Sequence, residues 1–393
     1  MFSNRLEWDA PTNALGLLLA EKRSRAETLF DLTQSNPTQV GLDYPNEAIL
    51  TALSRPAAMV YEPDPRGLMA ARRAIAGYYD EQGVAIDPEA LFLTAGTSEA
   101  YSMLFKLLGD PQDEVLVPRP GYPLLSYLAA FEGLNAIAYP ARHDPLHGWR
   151  IDLDVIDALV TPRTRAIVLI NPNNPTGAYA TSAELAALDR ICLRNGLALI
   201  VDEVFADFAA ASAPAVRTAL PGRSALTFVL NGFSKMLALP QVKLSWIAVG
   251  GDARFTEKAQ KGLETLLDFY LSIGTPVQHA AGPLLALRKP IQRQIVERVA
   301  LNHRSLQAHV ARAANCSMLS RQGGWYAVVH IADALTDEQR VLHLLGRANT
   351  VVHPGFFYDF SGEGFVVVSL LPDPQIFGSG VAGMVQLFGR TTV

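Results

Sequence analysis

Four short stretches of this chain combine residue types that can do chemistry with the spacing to use them. Asn231-Gly232-Phe233-Ser234-Lys235 follows an apolar run, Ala225 to Leu230, and precedes another, Trp246 to Val249. A lysine held between two buried strands is pushed toward its neutral amine, which can attack a carbonyl and form a Schiff base. Ala95-Gly96-Thr97-Ser98-Glu99 closes the run Leu91 to Thr94 and opens a helical one. That junction leaves backbone N–H groups unpaired and a partial positive charge facing outward, where a phosphate would sit. Asn171-Pro172-Asn173-Asn174-Pro175-Thr176-Gly177 follows the apolar run Ala166 to Ile170, and Asp202-Glu203-Val204-Phe205 follows Leu197 to Val201. The competing reading of Lys235 is a surface lysine in a loop, and that of Asp202 a helix cap or ion-pair member.

Side chains so far apart in sequence meet only if the elements before them share a sheet. From residue 91 the pattern alternates: strand Leu91 to Thr94, helix from Thr97, strand Glu114 to Pro118, helix from Tyr122, strand Ala136 to Tyr139. It continues with strand Ala166 to Ile170, helix Ser182 to Asn195, and strands Leu197 to Val201 and Ala225 to Leu230. Strands separated by helices predict a mainly parallel sheet covered on both faces, with its ligand at the carboxyl ends of the strands. Each motif above lies just after such a strand. Ahead of this unit, residues 12 to 27 read as an amphipathic helix capped by Thr12 or Asn13. Beyond residue 276, Leu284 to Ala311 reads as a long helix interrupted near Pro290. A smaller α+β unit follows, with strands Trp325 to Ile331 and Phe365 to Leu371, a helix Asp337 to Arg347 and a last helix from Gly380.

The 393 residues, 49% hydrophobic and 18% charged, suffice for two packed lobes and a large core. Net charge of −5 without a basic run argues against nucleic acid. No apolar run is long enough to span a membrane, and the start Met1-Phe2-Ser3-Asn4-Arg5-Leu6-Glu7 lacks the apolar centre of a signal peptide, so a cytoplasmic location is expected. Cys192 and Cys316, widely spaced, support neither a metal site nor a disulfide framework.

Taken in order, the Asn174, Asp202 and Lys235 motifs resemble the class I/II (fold-type I) aminotransferases, which use pyridoxal 5′-phosphate (PLP), and the resemblance covers nearly the whole chain. It implies an α/β fold with a mainly parallel, seven-stranded-type sheet in a large PLP-binding domain, residues 46–287. A small α+β domain would be built from both ends, 1–45 and 288–393. Lys235 would carry the cofactor as a Schiff base and later shuttle a proton, while Asp202 keeps the pyridine nitrogen protonated and the ring an electron sink. Thr97 and Ser98 would bind the phosphate, with Lys243 and Ser234 beside them. Asn174 would hydrogen-bond the phenolic oxygen and Tyr122 stack on the ring. Tyr61, in Tyr61-Glu62-Pro63-Asp64-Pro65-Arg66-Gly67, would reach the neighbouring subunit's phosphate, which implies a homodimer with shared sites. As structural residues instead, Tyr122 is a core tyrosine and Tyr61 an aromatic packed at a Pro-rich turn.

The chain departs from the family at telling places. Lys243 stands where an arginine usually grips the phosphate, and a lysine cannot make the two-pronged contact. Gly232 replaces the usual serine or threonine, a loss for which Ser234 can compensate. Phe205 replaces a tyrosine that donates to the phenolic oxygen. Val367, in Phe365-Val366-Val367-Val368-Ser369, replaces the arginine that pairs with the substrate α-carboxylate. Candidate stand-ins are Arg66, Arg119, His353 and Asn36. Ser35 occupies the place of a pocket-lining glycine, and Trp325, Tyr326, Phe356, Phe357 and Tyr358 would add an aromatic wall. The expected reaction is transamination between an amino donor and a keto acid. The alternative is a lyase of the same fold, by carbon–sulfur β-elimination, or another biosynthetic PLP enzyme. A catalytically idle relative is disfavoured by the intact Lys235, Asp202 and Asn174 set, and a nicotinamide dehydrogenase by the lack of a Gly-x-Gly-x-x-Gly turn.

Overall fold

A computed structural model describes residues 1–8, 12–210, 213 and 218–389. Its centre is an eight-stranded sheet of β1 (Leu91–Thr94), β2 (Glu114–Arg119), β3 (Asn135–Asp144), β4 (Gly148–Ile151), β5 (Thr164–Ile170), β6 (Ala198–Asp202), β7 (Thr227–Gly232) and β8 (Ser245–Gly250). The spatial order is β1-β8-β7-β6-β5-β2-β3-β4. Strands β3, β2, β5, β6 and β7 run parallel, whereas β8 is antiparallel to both β7 and β1, and β4 to β3. The strand beyond the expected seven-stranded type is β4. It folds back on β3 because the Asp144 carboxylate accepts from the Leu146 and His147 amides, closing a turn that Gly148 completes at φ 74°.

The expected periodicities hold, with shifted ends. The helix Ser182–Asn195 starts on a capping box, Thr181 with Glu184, and stops at left-handed Gly196. The first helix is Ala14–Ser24, capped by Asn13, whose Oδ1 accepts from the Gly16 amide at 2.8 Å. The predicted long helix is two, Thr275–Ala286 and Arg288–Val310. Pro290 lies in the first turn of the second, where its missing N–H costs no helical hydrogen bond. The last helix begins already at Pro374, capped by Asp373.

A second, antiparallel sheet holds β9 (Cys316–Met318), β10 (Tyr326–Ile331), β11 (His353–Pro354) and β12 (Phe365–Ser369) in the order β9-β10-β12-β11. The chain start joins it: Phe30–Asp31 pairs in parallel with Thr350–Val351, and the Leu32 carbonyl accepts from the Ser369 amide at 2.7 Å. Beside the central sheet, Phe233 is fully buried edge-on against Trp246, whose indole N–H donates to Tyr79 Oη at 3.0 Å. Burying such a ring contributes about 2–3 kcal/mol and pins the short helix Phe233–Met236, hence Lys235, to the sheet.

Glu203, directly after β6, is 1% exposed, and burial raises its carboxyl from the ordinary 4.5 to about 8, with Asp202 and Asp207 adding to the rise. Between those values the folded chain holds a proton that the unfolded chain has lost, so stability falls as pH rises from 4.5 to 8. Glu203→Gln keeps the acceptor for the Ala219 amide and removes the titration. At pH 8 the variant should be more stable than the wild type by roughly 2–4 kcal/mol, with the gap closing toward pH 5. Thermal unfolding from pH 5 to 8.5 checks this, and parallel curves for the two proteins would contradict it.

Candidate active site

Register brings the motifs together. Ile170, Asp202 and Leu230 are aligned across β5, β6 and β7, so all three strands end at one edge. There the Asn171 amide donates to the Asp202 carbonyl and the Glu203 amide to the Leu230 carbonyl, both at 2.8 Å. Thr94 and Gly232 both pair with Ser245, so the loop from β1 into the helix Thr97–Leu108 opens at the same edge as Lys235.

Asp202 is buried, and burial pushes its carboxyl up to about 6. Pulling the other way are the Val204 amide on Oδ1 at 3.1 Å, the Tyr101 hydroxyl on Oδ2 at 3.1 Å, and the charge of Lys235. Burial lowers the Lys235 ammonium pKa, and Asp202 partly restores it. The Lys235 amine lies 5.8 Å from the centre of the Phe205 ring and 5.4 Å from that of Trp325. A carboxyl group that burial makes reluctant to ionise and an amine reluctant to protonate fit a cationic heterocycle beside the first and a carbonyl beside the second.

The Asn-Asn pair divides its tasks. Asn173 is committed to structure: its Oδ1 accepts from the Thr176 amide and hydroxyl, and its Nδ2 donates to the Pro120 carbonyl. Asn174 keeps a buried Oδ1 with no partner among the described residues. Turning that amide over presents an N–H donor at the same place, which suits a phenolic oxygen. The helix Thr97–Leu108 is capped by Gly96 with no side chain over its first amides, while Glu99 accepts from the Ala95 amide and the Ser272 hydroxyl. Gly232 has no room for a side chain, because a Cβ there would come within 2.1 Å of Ser245 Oγ. The Ser245 hydroxyl therefore fills the space of the missing Ser/Thr at 232, alongside half-buried Ser234. Lys243 is exposed, in the left-handed region at φ 59°, and forms no ion pair among the described residues.

The small sheet supplies a wall. Trp325 is fully buried, edge-on to Phe205 at 5.3 Å, and Tyr326 stands edge-on to Phe205 at 6.3 Å. Ser35 hydrogen-bonds the Tyr326 side chain, whose phenol burial pushes up to about 12. Tyr358 is 6.5 Å from Tyr326 and 6.3 Å from Tyr122, which is 42% exposed. Val367 is fully buried on β12, paired with Val328 and His353.

The stand-ins for the missing arginine fare poorly. Arg66 is engaged by Glu89 and Glu264. Arg119 donates from Nε to the Asp359 carbonyl. His353 is pushed down by burial to about 4 and is neutral near pH 7. Asn36 carries no charge, and its Oδ1 accepts from the Thr38 amide and hydroxyl, capping the turn Pro37–Gln39, so only its Nδ2 is left to donate to a carboxylate. Phe356 and Phe357 are exposed rather than part of the wall, with Phe357 stacked on His353. Tyr61 is 72% exposed, in a groove it shares with Leu267 and Leu271. Sequence reasoning missed Tyr101 and Ser245. Tyr101 sits at helical spacing from Thr97, the only signal that it faces the same edge.

The model of the family described as aminotransferase class I and II matches residues 28–374. A glutamate-pyruvate aminotransferase AlaA of Haemophilus influenzae is 29% identical over 369 residues, 92% of this chain and 90% of that protein. An alanine aminotransferase of Mycobacterium tuberculosis is 26% identical over 364 residues, 90% of this chain and 84% of that one. Among solved structures, an aminotransferase from Escherichia coli superposes with TM-score 0.85 at 25% identity over 100% of this chain and 99% of that one. An alanine aminotransferase from Pyrococcus furiosus shares the fold with TM-score 0.88 at 24% identity, covering 99% of each chain. These names do not favour the β-elimination reading. The match runs through every strand that ends at this edge, and the chain belongs to the class I and II aminotransferases: it is a PLP-dependent transaminase of fold type I.

Proposed function

We propose that Lys235 is the lysine that holds PLP and moves the proton in amino-group transfer between an amino donor and a keto acid. The observation that carries this is an amine of lowered pKa, among apolar rings, on the same strand edge as a buried carboxylate. PLP bound here supplies an electron sink for the carbon that loses its proton. The chain's own residues do the rest. Asp202, steadied by Tyr101, keeps a proton on the ring nitrogen. Asn174 donates to the phenolic oxygen, and Tyr122 covers the ring. The amides of Thr97 and Ser98, the hydroxyls of Ser234 and Ser245, and Lys243 hold the phosphate. Phe205 and Trp325 keep water from the Lys235 amine, which preserves its neutral form between proton transfers.

The test is two half-reactions followed by absorbance: an amino donor should convert bound PLP to its aminated form, and a keto acid should return it. A cofactor spectrum that no donor changes, with ammonia and a keto acid released instead, would favour elimination. Phe205→Tyr should lower the pH at which the bound cofactor's absorbance changes, because the added hydroxyl stabilises the anionic phenolic oxygen. An unchanged or raised midpoint would contradict the place assigned to residue 205.

The proposal extends to organisation. We divide the chain into a large domain, 46–287, and a small one of 1–45 and 288–393, supported by the helix break at Leu287 and the pairing of Phe30–Asp31 with Thr350–Val351. Met59, Val60, Tyr61, Phe269, Tyr270 and Leu271 are exposed apolar residues, and such a surface fits a second copy of the chain, with Tyr61 reaching its site. Light scattering at micromolar concentration should give a dimer, and an active monomer would refute this. We place the enzyme in the cytoplasm, where its two free cysteines stay reduced. No helix among the described residues is long and apolar enough to cross a membrane.

A further inference from the structure

The relatives' names mention alanine, glutamate and pyruvate, yet the wall of this site lacks the charge that such substrates need beside the reacting carbon. Starting from the Lys235 amine, a run of rings follows, each distance taken from the group before it: Phe205 at 5.8 Å, Tyr326 at 6.3 Å, Tyr358 at 6.5 Å and Tyr122 at 6.3 Å. Val367 is fully buried on β12, in register with Val328 and His353. None of these is a cation near pH 7, since burial keeps His353 neutral. The charge that acts on His353 is the Asp31 carboxylate, which would repel a second carboxylate. Arg66 is held by Glu89 and Glu264, and exposed Arg119 is tied through Nε to the carbonyl of Asp359. The polar groups of the wall are hydroxyls. Tyr326 is hydrogen-bonded by Ser35, and Tyr358 Oη is buried with no partner among the described residues. A buried hydroxyl without a partner is a cost to the fold that a ligand's acceptor or donor can remove.

We propose that the amino donor carries an uncharged hydrogen-bonding group, a hydroxyl or an amide, where an α-amino acid carries its carboxylate, with Tyr358 Oη as its partner and Val367 making room. This rests on the transaminase reading of the Lys235 site. The reaction remains balanced: the donor's C–NH₂ carbon becomes a carbonyl, the acceptor's carbonyl becomes an amine, and no outside oxidant is needed. The aromatic lining selects an aromatic or apolar remainder. Tyr358 sets the specificity.

The experiment uses holoenzyme and matched donors: phenylalanine, phenylalaninol, phenylalaninamide and phenethylamine, with formation of the aminated cofactor followed by absorbance. The amide and alcohol should react with specificity constants at least about tenfold above that of the acid. Tyr358→Phe should lower the ratio of the specificity constants for alcohol and phenethylamine by about fivefold, mainly through KM for the alcohol. Val367→Arg should shift the preference toward the acid. Calorimetry of the unreactive 3-phenylpropanamide and 3-phenylpropanoate reads the pocket without chemistry, and the amide should bind at least about tenfold tighter. Acid equal to or better than amide in both assays, or a Tyr358→Phe variant with unchanged ratios, overturns the proposal. If no donor aminates the cofactor, the transaminase reading fails, while the calorimetric comparison still decides whether the pocket prefers an uncharged group.

Discussion

Lys235→Ala should leave a folded protein that borohydride no longer tags with PLP and whose amino-group transfer falls by about 10³-fold or more. The side chain forms no hydrogen bond among the described residues, and its surroundings are the rings of Phe205 and Trp325. Truncation therefore removes a reactive amine and little packing, and the unfolding midpoint should move by no more than that of an ordinary surface change. Peptide mapping of the reduced wild-type protein should find the label on Lys235. A label on another lysine, Lys243 included, would overturn the assignment. Added methylamine should recover part of the proton-transfer rate in the variant, a rescue that mere misfolding would not allow.

Asp202→Asn should slow the reaction by about 10²- to 10³-fold, because a neutral amide cannot hold a proton on the cofactor's ring nitrogen. Stability should move the other way. Burial already pushes Asp202 up to about 6, so at pH 7 the fold carries the cost of an ionised buried carboxylate, and asparagine relieves it. The cofactor-free variant should therefore unfold at a higher temperature than cofactor-free wild type while transferring amino groups far more slowly, an instance of the trade between stability and activity. Tyr101→Phe should have a smaller effect, roughly 3- to 10-fold in rate, since it removes one of the hydrogen bonds to the carboxylate and leaves its charge. An Asp202→Asn enzyme within about threefold of wild type would show that Asp202 does not face the cofactor, because such protonation is worth much more than that.

The central sheet was legible because β6 and β7 are buried along their whole length and β5 at every position but Arg165, so each contains a continuous apolar run. The hairpin strand β4 was not, because Gly148-Trp149-Arg150-Ile151 is half exposed at a sheet edge and carries no such run. Helix ends were blurred where a cap competed with periodicity. Asp373 starts the last helix well before the apolar stripe around Val381 and Met384 becomes evident. At the site, Arg66 looked available as a carboxylate ligand in sequence, but Glu89 and Glu264 engage it.

The sequence alone determined which residues follow the strands, and with that the edge where chemistry takes place. Chain continuity makes this a local matter, since Lys235, Asp202 and Asn174 lie within a few residues of the β7, β6 and β5 ends that position them. Only the tertiary structure decided how those residues are served by others. Asn173 turned inward to Pro120, while the buried Oδ1 of Asn174 kept no partner among the described residues. Tyr101 crossed from a helix to Asp202, Ser245 took the space that Gly232 leaves open, and Tyr358 came to face Tyr326. Each is a contact between residues distant in sequence, and its geometry depends on how layers pack and which strand registers hold, quantities that periodicity and motif spacing do not contain.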